Sequence, residues 1–245
     1  MTAIEHVITS DSPTIQPEQA LNQRKKSLCL AEVSSEEVKS GDTMALERIR
    51  AKLTELRKLD PDYTLFGARS HRYRLGPPLT EAKVAKHERR LGVPLPAEYR
   101  QFVTEVGHGG AGPFYGLFTL DGNDPEDITD LQKICKPFRW VEPFNPADWS
   151  NPRVEDDVWV DEDVNEGEKP QVLLNPPGVL YICHYGCALR FFLIVNGVGL
   201  GEVWMDRQAD DNGLIPECRE DGDRLSFLEW YERWLDTGIS KLKKE

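Results

Sequence analysis

Two cysteines and a histidine lie close together in the run Cys183-His184-Tyr185-Gly186-Cys187. Thiolate and imidazole groups are ligands that zinc prefers, and structural zinc sites usually pair two such short clusters. The sequence contains no second matching cluster, and Cys218 and His108 could join this one only through the fold. We therefore expect both cysteines to be structural residues of a hairpin, with no metal and no cofactor bound.

A glycine-rich segment at residues 107–113 invites comparison with phosphate-binding loops. Such loops follow a strand and open a helix, so that backbone amides and the helix dipole face the anion. Here the predicted order is helix, glycines, strand, and the Lys-Ser/Thr pair of those loops is absent. Nucleophile-elbow and metalloprotease motifs are absent as well. The sequence thus predicts a protein that is not an enzyme and has no catalytic residues.

The charge balance restricts the classes of partner. The chain has 30 Lys and Arg against 42 Asp and Glu, a formal net charge of −12. Phosphate backbones and anionic lipids repel such a chain, so we expect neither nucleic acid nor a membrane as a direct partner. The N-terminus lacks a secretory pattern, and the five cysteines suggest no disulfide framework. We expect a cytoplasmic protein.

The elements that would position these residues indicate an α+β fold. Residues 1–42 are polar, and we expect them to form a flexible leader. The domain is expected over residues 43–240. It begins with a helix at 43–59, whose leucine and isoleucine stripe should pack on the core from the periphery.

The remaining elements follow from apolar periodicity and from capping, glycine and proline residues. Together they predict a single domain with a mostly antiparallel mixed sheet and helices packed on it. In chain order they are helices at 80–91 and 96–106, a strand at 114–120, a short helix at 128–135, a three-stranded meander over 178–206, and a last helix that ends before Gly238.

Several short motifs between residues 79 and 118 resemble those of the SUKH superfamily. They are Leu91-Gly92, Leu95-Pro96, Glu98-Tyr99, Phe102 and Gly109-Gly110. The family often has Asn before the two glycines, where this chain has His108. The resemblance implies an α+β domain without catalysis or cofactor. Bacterial members of the superfamily typically neutralise a cognate toxin, and fungal members regulate cell-wall assembly.

Three hypotheses for function follow. The leading one is an immunity protein that binds and neutralises a cognate toxin, for which a basic toxin domain would suit the acidic chain. The alternative is a regulatory or scaffold module that binds an endogenous protein. The third is an enzyme whose metal or thiol site forms around Cys183, His184 and Cys187.

Candidate partner-binding residues are exposed aromatics near an acidic run. Residues 155–168 contain eight acidic side chains and no basic one. Acidic residues steer a basic partner, and aromatic residues anchor interfaces. The candidates are Tyr115, Trp149, Asp156, Asp157, Trp159, Asp161, Glu162 and Asp163.

Overall fold

Five α-helices and eight strands make up the computed structural model, which describes residues 43–125, 127–145, 158–160 and 172–244. The helices are α1 (43–59), α2 (Ala68–His71), α3 (Glu81–Leu91), α4 (Ala97–Glu105) and α5 (Phe227–Leu242). The strands are β1 (Leu75–Gly76), β2 (His108–Gly110), β3 (Val158–Val160), β4 (Val172–Leu174), β5 (Val179–Gly186), β6 (Leu189–Ile194), β7 (Val203–Arg207) and β8 (Gly213–Pro216).

The central sheet has four antiparallel strands in the order β5-β6-β7-β8. Side chains alternate between its two faces, as the pleat requires. Leu180 and Ile182 lie in the core cluster that includes the helices. Tyr181 and Trp204 face the other way and pack with Phe138 in a second apolar cluster. The sheet therefore separates a helical layer from a layer of loops, which confirms the predicted α+β class.

The helices pack on one face of the sheet because each has an apolar stripe. In α1 the buried residues Leu46, Ile49, Leu53 and Leu56 recur at intervals of three and four and belong to the main core. The Thr80 side chain caps α3 by accepting from the amide of Lys83, and Gly92 ends α3 in the left-handed conformation. A capping box between Ser226 and Glu229 opens α5.

Two predicted elements are wrong between residues 114 and 135. The strand at 114–120 is reduced to an isolated bridge at Leu117, because the backbone turns with positive φ at Phe114 (53°) and Gly116 (101°). The helix at 128–135 is only a turn. Pro137 has no amide hydrogen to extend that turn.

The last helix does not stop at Gly238, as glycine there predicted, but continues through Leu242. Gly238 is buried against α1 and the loop after it. A Cβ at this position would lie 3.0 Å from Leu65 Cδ1 and 3.1 Å from Leu56 Cδ1. The glycine therefore allows close helix packing. No helix within the described ranges is long and apolar enough to cross a membrane.

Candidate functional site

A groove of about 420 Å³ opens on the helical side of the protein, and we call it the aromatic groove. Its volume lies within the range of about 300–1,000 Å³ that is common for ligand sites. Its walls are mainly aromatic and aliphatic side chains, among them Leu65, Phe66, Phe114, Tyr185, Trp230 and Trp234.

One wall of the groove is the loop that joins α1 to α2. Phe66 is 60% exposed there, and its ring centroid lies 6.1 Å from that of Phe114. Gly67 follows with φ 77°, and a Cβ on it would lie 1.8 Å from the carbonyl oxygen of Phe114. Glycine is thus required for this loop to approach Phe114 and to hold Phe66 at the mouth of the groove.

The opposite wall is α5, where Trp230 and Trp234 stand one helical turn apart. The His71 ring meets that of Trp234 edge-on, with 5.9 Å between centroids. Burial lowers the pKa of His71 to about 4, against the opposing effect of a hydrogen bond with the backbone of Phe114. His71 is therefore neutral at physiological pH and supports both walls without placing a charge behind them.

Charged groups on α5 and directly after β8 also line the groove. The guanidinium of Arg233 pairs with the carboxylate of Glu217 and donates to the carbonyl of Cys218 at 2.9 Å. Burial lowers the pKa of Arg233. Lys241 also lines the groove and is exposed. The groove lining thus has two cationic groups, eight residues apart on α5, and the carboxylate of Glu217 is bound to one of them.

Of the predicted partner-binding residues, Tyr115 lies beside this groove. It is 43% exposed, its ring lies 5.4 Å from that of Phe66, and it stacks on His184 at 5.3 Å. Trp159 lies in β3, whose backbone pairs with that of β4 at Leu173. The other candidates fall outside the described residues: Trp149, Asp156, Asp157, Asp161, Glu162 and Asp163.

The cysteine–histidine cluster forms the end of the β5-β6 hairpin. Cys183 is buried, and its thiol donates to the carbonyl oxygen of Pro113 at 3.1 Å. Burial raises the pKa of the Cys183 thiol, so it stays protonated and is a weak nucleophile. Cys187 is exposed in the turn with φ 51°. In the part of the chain that the structure describes, no group of three His, Cys, Asp or Glu side chains could hold a metal ion.

Sequence reasoning missed most of the groove. It gave no binding role to Phe66, Arg233 or Trp234. The available signal was two tryptophans four residues apart with Arg233 between them, since aromatic residues and arginine are enriched in binding sites. Apolar periodicity alone cannot separate a groove wall from the core.

Comparison with known proteins identifies a family for this chain. The model of the SMI1 / KNR4 family (SUKH-1) matches residues 78–227, more than half of the chain. No curated protein and no solved structure gives a significant match. The matched segment contains Phe114 and Tyr185, whereas Phe66 and Trp234 lie outside it. From the extent of this match, the chain belongs to the SMI1 / KNR4 family (SUKH-1).

Proposed function

We propose that this protein is a non-catalytic protein-binding domain that acts as an immunity protein, binding and neutralising a cognate toxin. The observation that carries the proposal is the aromatic groove, at whose edge Phe66 and Tyr115 expose 60% and 43% of their surface. Contiguous exposed aromatics of this kind mark interaction sites, and large aromatic side chains are typical anchors. The resemblance to bacterial immunity proteins supports the toxin as partner.

The chemistry of the groove favours binding over catalysis. General acid–base catalysis needs groups whose pKa values are tuned apart and that can reach a substrate. Glu217 is held in an ion pair by Arg233, and His71 is buried behind the groove walls. The Cys183 thiol is buried and protonated, which weakens the alternative of a thiol enzyme. These groups position the walls of a binding surface.

The net charge of −12 supports a basic toxin domain as the partner and disfavours nucleic acid. Opposite charge speeds encounter between proteins, by up to several orders of magnitude at low salt. We propose that the acidic run that contains Asp156, Asp157 and Asp161 supplies this steering, and that the aromatic groove supplies the short-range contacts.

The test is a tagged pull-down from the native host, followed by an activity assay of the captured protein. We expect one stoichiometric partner that is toxic when expressed alone and harmless when this chain is co-expressed. A set of non-toxic endogenous proteins would instead support the regulatory module. Capture of one partner whose toxicity this chain does not reduce would contradict the immunity role.

The steering surface has its own test. Substituting Asp156, Asp157 and Asp161 together by Lys should slow association with the captured partner by about tenfold at low salt, and raised salt should remove the difference.

A control variant makes the same change in net charge elsewhere. It substitutes Glu47, Asp62 and Glu220 by Lys, three acids that are exposed on the described surface. This control should slow association less than the Asp156, Asp157 and Asp161 variant does. Equal rates for the two variants would mean that only net charge matters and that the acidic run is not a docking surface.

A further inference from the structure

The aromatic groove continues beyond the volume that one small molecule would fill. From the groove mouth, Phe66 contacts Tyr115, and Tyr115 stacks on His184 at the end of β5. Tyr115 lies outside the groove lining, so a small ligand inside the groove would leave its ring largely in water. A polypeptide segment would cover the groove and this aromatic strip together, so the shape favours a peptide chain as occupant.

The interior of the groove suits a large apolar side chain. Phe191 and Trp230 are both buried at its base, with exposed fractions of 3% each. An aromatic or long aliphatic group entering here would lose contact with water on most sides, which is the usual setting of an interface anchor.

The cationic side chains of the groove favour a particular residue beside the apolar anchor in the bound segment. Arg233 already has the carboxylate of Glu217 as its partner. The ammonium group of Lys241, by contrast, is exposed and makes no ion pair or side-chain hydrogen bond to any residue within 43–125, 127–145 or 172–244. Arg69, also exposed, follows Phe66 by three residues on α2. Lys241 lies two turns after Trp234 on α5, so a carboxylate of the occupant could pair with it at the groove edge.

We propose that the aromatic groove binds a polypeptide segment of the partner that presents a large apolar side chain next to an aspartate or glutamate. The apolar side chain enters between Phe66 and Trp234, and the carboxylate pairs with Lys241. This proposal rests on the proposed function in that the protein binds another protein, and it specifies which chemistry is bound and where.

The family match covers only part of the groove lining. Leu65 and Phe66 precede the matched residues 78–227, and Trp230, Trp234 and Lys241 follow them. The loop before α2 and most of α5, with Lys241, therefore lie outside the matched segment, and the match assigns them no role.

The probe is a displayed library of random heptapeptides, selected on the full chain, from which the enriched sequence is synthesised. We expect enrichment of an aromatic or aliphatic residue beside Asp or Glu, with binding followed by the fluorescence of Trp230 and Trp234. Phe66→Ser should weaken binding by about tenfold or more, the loss that an anchor contact implies. Phe66 is 60% exposed, so this variant should fold normally.

The control for Phe66→Ser is Leu200→Ser, because Leu200 is 61% exposed and lies outside the aromatic groove. This control should bind as the wild type does. Lys241→Glu should weaken the acidic peptide by about fivefold or more and favour a peptide in which Lys replaces the acid. Lys86→Glu, at an exposed position on α3, is the matched charge control.

Three outcomes overturn the groove proposal: no enrichment above that obtained with Phe66→Ser, enriched peptides without an acidic residue, or equal affinity for wild type and Phe66→Ser. The immunity role is tested separately from the groove proposal. If Phe66→Ser neutralises the toxin as well as the wild type does, the immunity role stands and the groove proposal falls. If no toxin exists but peptide binding needs Phe66 and Lys241, the groove proposal stands and the immunity role falls.

Discussion

The hydroxyl of Tyr73 donates a hydrogen bond to the carboxylate of Asp60, and both residues are 1% exposed. The same carboxylate accepts from the amide and hydroxyl of Thr64, at 2.6 and 2.8 Å, and from the amide of Leu65 at 3.1 Å. Burial alone would raise the pKa of Asp60, but these hydrogen bonds outweigh it and lower the pKa. Asp60 thus fixes the loop that carries Leu65 and Phe66 into the aromatic groove.

We predict that Asp60→Asn destabilises the protein by about 2–4 kcal/mol, because an amide cannot accept all four hydrogen bonds in a buried site. Tyr73→Phe should cost about 1–2 kcal/mol. Denaturant unfolding of both single variants and the double variant measures their coupling. Costs that simply add would mean that the two groups do not stabilise each other.

We predict that the protein loses stability in mild acid, because His71 is buried as a neutral ring. Its pKa is about 4 in the folded protein and about 6.5 when exposed, because the buried ring resists protonation. The contribution of His71 to the free energy of unfolding is therefore fully present above pH 6.5. It is lost as pH falls from 6.5 to 4, by about 3 kcal/mol in total. Unfolding at several pH values from 7 to 4.5 measures this loss, and the points above about pH 5.5 report it before the carboxylates begin to titrate.

The control for this pH effect is a second histidine. His71→Gln should lower overall stability but flatten the dependence between pH 7 and 4.5. His87→Gln should keep most of this pH dependence, because His87 is only partly buried. An unchanged slope in His71→Gln would show that another group takes up the proton.

The cysteines should differ sharply in reactivity. Alkylation of the native protein with iodoacetamide should label Cys187 and Cys135, which are exposed, and spare Cys183, which is buried with a raised pKa. Peptide mass spectrometry reads the labelled positions, and a denatured sample provides full labelling. Rapid native labelling of Cys183 would contradict its burial and revive the thiol-enzyme hypothesis.

An ion-pair network joins α1 to α5. Glu232 accepts hydrogen bonds from Arg48 at 2.9 Å and Lys52 at 2.8 Å. The hydrogen bond from Arg48, against the opposing effect of burial, lowers the pKa of Glu232. We expect Glu232→Gln to cost about 1 kcal/mol at low salt and less at 1 M salt.

The matched control is Asp223→Asn. Asp223 is 73% exposed in its ion pair with Arg219 and should contribute almost nothing. Thermal unfolding at the two salt concentrations compares the variants. Equal shifts for both would mean that the partial burial of Glu232 adds no strength to the network.

Local signals predicted the helices well where the chain itself supplies caps and an apolar stripe. The apolar stripe of α1, and Thr80 and Gly92 at the two ends of α3, are signals that depend only on neighbouring residues. The wrong boundary at Gly238 depends on contact with Leu56 and Leu65, which are distant in sequence. A stop signal and a packing glycine look the same until those partners are known.

The strands show the same limit. The long apolar runs of β5 and β6 were predicted, but β8 has only four residues and was missed. Its assignment comes from pairing with β7 on one side and with Phe144 on the other. The groove was not predicted for a similar reason. Phe66 and Trp234 are distant in sequence and line the same groove only in the folded protein.

The two walls of the aromatic groove come from opposite ends of the described chain, the loop before α2 and helix α5. During synthesis, the first wall emerges early and must wait for the last helix to leave the ribosome. A nascent or truncated chain that lacks α5 therefore has no complete groove, however much of the sheet has formed. Binding becomes available only after α5 has been synthesised and has packed, so partner capture requires a chain that includes this helix.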